Sequence, residues 1–180
     1  MPLPVAHAIV GASIVAAARD NFSLSRDWKI LLLGATIAVV PDFDLILSWV
    51  LGYGLKAHGG FTHSIVFSVA LGSAVSLLAR EKSVKGFLAY IAASISHGLL
   101  DVVTKKEFGG AQLLWPISDQ RYRLGLLSNY EFYPDPDSQQ ISDILKQMIT
   151  ISINELIIFL PLLLVVVYLK NRRSIKWKSF

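Results

Sequence analysis

Four histidines and three aspartates in this chain have the residue types and spacings of metal ligands. His97 and Asp101 are four residues apart, so on a helix they share one face. Imidazole and carboxylate together suit Zn²⁺, and also Mn²⁺ or Fe²⁺. Four histidines and three aspartates are too many ligands for one tetrahedral ion. The set therefore predicts two ions that share a carboxylate, or one ion with supporting residues around it. The predicted ligands are His7, Asp42, Asp44, His58, His63, His97 and Asp101.

The chain around these residues has the composition of a membrane protein. Of its 180 residues, 53% are hydrophobic and 17% are charged, whereas an ordinary soluble domain has about 25% charged residues. The absence of cysteine excludes thiolate ligands and disulfides. A membrane span needs about 20 apolar residues, and the first apolar segment is slightly short of that. The segments predict an all-α bundle of about five membrane helices, at 3–18, 30–51, 61–79, 86–104 and 149–169, with residues 105–148 as an extracytoplasmic cap.

Positive charge predicts the orientation of the bundle. Eleven of the 17 lysines and arginines lie in segments 19–29 and 80–85 and in the tail from residue 170 onward. Short flanks rich in these residues stay in the cytoplasm. We therefore expect an inner-membrane protein with a cytoplasmic C-terminus. The same distribution explains the basic pI of about 9.4 without a nucleic-acid partner, and membrane lipids are the expected partners.

The ionisable residues inside the apolar segments share one depth. Counted from the cytoplasmic helix ends at 1.5 Å per residue, they lie about 18–26 Å along straight helices, and His58 falls in the adjoining outer loop. Such groups cost about 2.5–3.5 kcal/mol each on insertion scales, and they are functional by default. A depth shared by five helices favours one site over scattered packing residues. Besides six of the predicted ligands, the slab contains Glu155.

Each motif also has a structural interpretation. A single histidine in a membrane helix usually makes an interhelical hydrogen bond. The segment from Pro41 to Asp44 is an ordinary helix start, at which either aspartate could satisfy free N–H groups. Gly59 and Gly60 could simply form a turn. The shared depth is the observation that favours a metal site over these separate explanations.

The two aspartates next to Pro41 are expected to have different roles. Residues two apart on a helix point about 200° apart, so only one of them can face the histidines. The depth count places Asp44 nearer to His63 and Asp101. We therefore expect Asp44 to be a direct ligand and Asp42 to bind a second ion or to cap the helix.

Taken in order, the motifs resemble those of the YdjM-type family of membrane-bound, metal-dependent hydrolases. The family pattern runs from an N-terminal His through PDxD, HRGxTHS and HxxxD with a nearby Thr, to a Gly and a Trp-Pro segment. The match covers about residues 7–118, with Thr104, Gly109-Gly110 and Trp115-Pro116 completing it. The resemblance implies a metal-dependent hydrolase with His and Asp ligands. Gly59 departs from the pattern, because the family usually has Arg there.

The polar segment 105–148 has two interpretations, a lid over the metal residues or a plain connector. Its aromatic residues are of the kind that collect at membrane interfaces, and residues 138–146 look like a helix start. Because Gly59 supplies no charge for an anionic substrate, Arg121 and Arg123 are candidates to bind a phosphate, although they could instead reach lipid headgroups. Thr104 is a further candidate for substrate binding.

The expected function is hydrolysis of a phosphoester or related ester, of a lipid or a small molecule, at the extracytoplasmic side. Asp101 or Glu155 would accept the proton from water, although interhelical hydrogen bonding explains Glu155 better than catalysis does. Ser64 and Ser96 both neighbour a histidine, but neither lies in a Gly-x-Ser-x-Gly motif. Two alternatives remain: a metal- or proton-coupled transporter, and a non-catalytic membrane regulator with a structural metal site.

Overall fold

A computed structural model of the chain describes residues 3–51, 58–104, 110–126 and 140–176. Within these ranges, regular β structure is limited to one antiparallel bridge between Ala111 and Tyr122. The predicted all-α class is confirmed. The helices are α1 (Pro4–Ala18), α2 (Leu24–Val39), α3 (Phe43–Val50), α4 (Ile65–Leu78), α5 (Val84–Thr104) and α6 (Ile141–Lys176), with 3₁₀ turns at Val40–Asp42 and Phe61–His63.

Three of the five predicted membrane segments differ clearly from the observed helices. The segment 30–51 is broken at Pro41, as expected for a residue without an N–H, and α2 begins six residues earlier than predicted. The segment 61–79 opens with a 3₁₀ turn, and α4 starts only after Ser64, whose Oγ accepts a hydrogen bond from Phe67 N at 3.1 Å. The last helix starts at Ile141, so the predicted cap is shorter and its last residues are helical.

Among the residues that the structure describes, two helices are long and apolar enough to cross a membrane, Val84–Val103 and Ile141–Arg172. The apolar helices α1 and α4 have 15 and 14 residues, or about 21–23 Å, which is less than a core about 30 Å thick. The structure therefore supports a membrane helix bundle, but α4 is shorter than the full span expected of its segment, and α1 is short, as expected. Short helices joined by turns at membrane depth are typical of binding sites.

Helix α1 lies at the centre of the bundle and packs against α2, α5 and α6, while α4 packs against α5. A Cβ atom on Gly11 of α1 would lie 2.3 Å from the Gly34 carbonyl oxygen of α2, so these backbones approach as only small residues allow. The adjoining apolar core is made by Val15, Ile37, Ala89, Tyr90 and Ala93.

The loop after α1 and the loop after α4 meet at one end of the bundle. Arg19 forms an ion pair with Glu81, and Lys85 donates to Asp20 Oδ1 at 2.8 Å. The two loops predicted to be cytoplasmic are therefore on the same side. That this side faces the cytoplasm remains a prediction.

Candidate metal centre

Six of the seven predicted ligands converge in one buried group, which we call the His/Asp cluster. They come from α1, from the turn at Pro41, from the segment before α4 and from α5. None is more than 8% exposed. Their ligand atoms form three overlapping groups in which the atoms lie within 4.8 Å of one another. The cluster consists of His7, Asp42, His58, His63, His97 and Asp101.

His58 is oriented by Asp44, which lies just outside the cluster. Its Nδ1 is 2.6 Å from Asp44 Oδ1. A carboxylate accepts hydrogen bonds, so Nδ1 carries the hydrogen and Nε2 keeps its lone pair. That Nε2 lies 3.8 Å from Asp42 Oδ1 and 3.9 Å from Asp101 Oδ2, and it has no hydrogen-bond partner among the described residues. His58 thus presents a bare nitrogen to the cluster.

His97 is oriented in the same way by the backbone of α2. Its Nδ1 lies 2.7 Å from the Ala38 carbonyl oxygen, which can only accept. In the neutral ring its Nε2 therefore also carries a lone pair. This atom is 3.4 Å from Asp42 Oδ1 and 2.9 Å from His63 Nε2. Donation of the outer N–H to a carbonyl or carboxylate is the usual arrangement of metal-binding histidines.

His7 differs from the other histidines. Its ring stacks on that of His97, with centroids 3.9 Å apart, and its Nε2 lies 3.7 Å from Asp101 Oδ1. Within the described ranges neither of its ring nitrogens has a hydrogen-bond partner. A buried polar group without a partner is costly, so these nitrogens are further candidate ligands.

The two aspartates next to Pro41 are not equivalent, as predicted. Asp42 lies with His7 and His97, as a ligand of a second ion was expected to do, whereas Asp44, the expected direct ligand, lies outside the three ligand groups. Both oxygens of Asp44 accept hydrogen bonds: Oδ1 from His58, and Oδ2 from Gly59 N at 3.2 Å and from Thr62 Oγ1 at 2.8 Å. Asp42 is 8% exposed, and neither of its oxygens has a hydrogen-bond partner in the part of the chain that the structure describes. Asp42 therefore faces the histidines, and Asp44 supports them from outside.

The carboxylate of Glu155, the alternative proton acceptor, reaches from α6 to the start of α1. Glu155 belongs to none of the three ligand groups. Its Oε1 accepts from Leu3 N at 2.6 Å and its Oε2 from Ala6 N at 3.1 Å. The first N–H groups of a helix have no partner within the helix, and Glu155 of α6 supplies one. This geometry corrects the catalytic expectation, because both oxygens hold the helix end that precedes His7.

The described part of the predicted cap, residues 110–126, packs against the turn that carries His58. Gln112 N donates to the Gly59 carbonyl oxygen at 2.9 Å, and Leu124 N donates to the Val102 carbonyl oxygen at 2.7 Å. Arg121 Nη1 donates to the carbonyl oxygen of His58 at 2.8 Å. The described part of the segment, residues 110–126, thus lies next to the cluster, and whether it acts as a lid or as a connector remains a prediction.

The three predicted substrate-binding residues have different positions. Arg121 binds backbone carbonyl oxygens next to the cluster, so it braces the His58 turn where a phosphate clamp was expected. Arg123 is exposed. Thr104 is the last residue of α5, and its side chain lies outside what the structure describes, as do residues 105–109 and 127–139.

Two residues of the site were not among the candidates that the sequence analysis selected. Thr62 links Asp44 to His63, whose Nδ1 is 3.0 Å from the threonine hydroxyl. Gly98 lets α5 approach the turn, because a Cβ atom there would lie 2.5 Å from the His63 carbonyl oxygen. Thr62 directly precedes His63 and Gly98 directly follows His97. This proximity to candidate ligands was the signal that could have identified them.

The comparison with known families agrees with the membrane fold. The model of the family described as YdjM inner membrane protein matches residues 1–175. No curated protein and no solved structure is significantly similar to the chain.

Proposed function

The chain belongs to the YdjM inner membrane protein family, and we propose that it is a metal-dependent hydrolase of a phosphoester or related ester. The substrate would be a lipid or a small molecule, and the reaction would take place at the extracytoplasmic side. A cytoplasmic C-terminus, as predicted from the charges, is part of this proposal.

One observation carries the proposal: buried hydrogen-bond acceptors face one another. Asp42 Oδ1 lies 3.8 Å from His58 Nε2 and 3.4 Å from His97 Nε2, and the outer N–H groups of both rings are already used. Acceptors gathered in a buried space repel one another unless a cation lies among them. Imidazole nitrogens and carboxylate oxygens are ligand atoms that Zn²⁺, Mn²⁺ and Fe²⁺ bind. The residues present therefore suit a divalent ion, with zinc the first candidate.

The overlap of the ligand groups suggests how one or two ions would be held. One group contains His7, Asp42 and His97, and another contains Asp42, His58 and His63. Because Asp42 belongs to both, it would be the shared carboxylate if two ions bind. A divalent ion there would supply Lewis-acid catalysis, polarising the ester and making water more acidic.

Asp101 is the carboxylate that we assign to proton transfer. It is fully buried, and its Oδ2 lies 3.2 Å from His63 Nε2. A carboxylate near the attacking water would accept its proton. Asp101 also belongs to the third ligand group, with His63 and His97, so it would stay close to the reacting atoms in either role.

The packing favours a hydrolase over a transporter. A transporter needs a path to the site from both faces. Toward the loops after α1 and α4, the cluster is followed by the buried apolar side chains of Val15, Ile37 and Tyr90. Apolar packing on that side is expected of an enzyme that works at one face only.

The proposal is tested by metal analysis and ester hydrolysis on protein purified in detergent from cells grown with zinc. We expect one or two divalent ions per chain, and loss of metal in Asp42→Asn. Asp27→Asn is a matched control, because Asp27 is a buried aspartate at the other end of the bundle that accepts from Ser23 N. Wild-type protein without metal would contradict the proposal.

Hydrolysis is measured with p-nitrophenyl phosphate, bis(p-nitrophenyl) phosphate and p-nitrophenyl acetate. We expect turnover of at least one of them, loss of turnover after chelation, and recovery with Zn²⁺. Turnover that survives complete metal removal would refute the mechanism. Bound metal without turnover of any ester would refute the enzyme proposal and favour a structural metal site.

A further inference from the structure

The hydroxyl of Thr62 lies between a carboxylate and an imidazole. Thr62 is the middle residue of the 3₁₀ turn Phe61–His63 and is 6% exposed. Its Oγ1 is 2.8 Å from Asp44 Oδ2 and 3.0 Å from His63 Nδ1. A hydroxyl has one hydrogen to donate, and an ionised carboxylate can only accept. The hydroxyl therefore donates to Asp44, and its oxygen accepts the N–H of His63 Nδ1.

This direction of hydrogen bonding determines which nitrogen of His63 faces the cluster. With the hydrogen on Nδ1, the Nε2 of neutral His63 carries a lone pair. That atom lies 2.9 Å from His97 Nε2 and 3.2 Å from Asp101 Oδ2. Asp44 sets the tautomer of His58 directly and that of His63 through the Thr62 hydroxyl. One carboxylate outside the cluster thus controls two rings inside it.

We propose that Asp44 and Thr62 are positioning residues that hold His58 and His63 with their Nε2 atoms ready to bind metal. The inference rests on the metal centre of the proposed function. Without the hydroxyl, the nearest acceptor for His63 Nδ1 in this network is Asp44 Oδ2, at 3.4 Å, which is too long for a good hydrogen bond. The ring would then be free to rotate or to carry its hydrogen on Nε2, where it blocks coordination.

The test compares metal binding by wild-type protein, Thr62→Val and Thr62→Ser. Valine keeps the shape of threonine and removes the hydroxyl, whereas serine keeps the hydroxyl. The affinity for Co²⁺ is measured by competition with a chromophoric chelator, and the coordination is followed in the visible absorption of bound Co²⁺. Loss of a residue that orients a ligand typically lowers metal affinity about 10–100-fold. We expect that loss and an altered spectrum in Thr62→Val, and recovery of both in Thr62→Ser.

A matched control separates positioning from general damage. Thr150→Val makes the same substitution at an exposed helical threonine that donates to the Lys146 carbonyl oxygen, and it should bind Co²⁺ like the wild type. If Thr62→Val does not fold, Asp44→Asn carries the test, because its amide nitrogen would meet an N–H where an acceptor is needed.

The outcomes distinguish the two levels of the argument. Wild-type protein that binds no Co²⁺ would overturn both the metal centre and this inference. If the wild type binds Co²⁺ and Thr62→Val has the same affinity and spectrum, the positioning role is overturned and the metal centre stands. The same result in Asp44→Asn has this meaning where that variant carries the test. A weakened Thr62→Val that Thr62→Ser fails to restore would also overturn it, because the hydroxyl would not be the cause.

Discussion

Replacing Gly98 with alanine should damage the metal centre while improving the intrinsic helix propensity of α5. In an exposed helix, alanine is more favourable than glycine by about 1 kcal/mol. At this position, however, the added Cβ would lie 2.5 Å from the His63 carbonyl oxygen and 3.0 Å from a methyl carbon of Leu113. The first contact is with backbone, which cannot move aside as a flexible side chain can.

The size of the effect follows from that distance. Ordinary van der Waals contact begins at 3.4 Å, so α5 and the His63 turn must separate by about 0.9 Å, and overpacking of this kind typically costs about 1–3 kcal/mol. His63 and His97 lie on the two sides of this contact. Metal–ligand distances tolerate about 0.2 Å, so we expect the affinity for Co²⁺ to fall at least about tenfold.

Gly72→Ala provides the control for this experiment. Gly72 lies on α4, and a Cβ atom there would be 2.5 Å from Ile91 Cα of α5, a similar backbone clash away from the cluster. Both variants should have a lower Tm than the wild type, but only Gly98→Ala should lose metal affinity. A Gly98→Ala protein that is more stable than the wild type, or that binds Co²⁺ as well as Gly72→Ala does, would refute the reasoning.

Three further predictions concern the rest of the chain. Glu155→Ala leaves two N–H groups at the start of α1 without acceptors and should cost about 1–3 kcal/mol of stability, measured as a lower Tm. Glu155→Gln keeps one acceptor oxygen and should lose less. Equal Tm values in all three proteins would contradict the capping role. Partial burial raises the pKa of Glu81, but hydrogen bonds from Ser83 and the paired guanidinium outweigh it and hold the pKa below its ordinary 4.5. A carboxylate whose pKa is lowered by folding contributes stability above its unfolded pKa, and this stability is lost as the pH falls through the folded pKa. The Tm advantage of the wild type over Glu81→Gln should therefore shrink below about pH 4.5. A Tm difference that stays constant down to pH 3 would argue against this ion pair. Because the chain has no cysteine, single cysteines at Lys82 and Gln120 report topology: an impermeant maleimide should label Gln120→Cys but not Lys82→Cys in whole cells, and the reverse pattern would invert the orientation.

The amino-acid sequence by itself determined the residue types of the centre and predicted that most of them would meet at one site. The long apolar segments determined the all-α class, because a chain in lipid must satisfy its backbone hydrogen bonds within helices. Pro41 determined the break between α2 and α3 through its missing N–H. These are local properties, and each can be read from a few neighbouring residues.

Only the tertiary structure decided which atoms face one another. The depth count could not distinguish the roles of Asp42 and Asp44, because these depend on where the His58 turn folds back, 14 residues after Asp44. Glu155 caps a helix whose first residues are about 150 positions earlier in the chain. The direction of a side chain depends on the packing of every helix around it, and spacing along one segment carries no information about partners that distant.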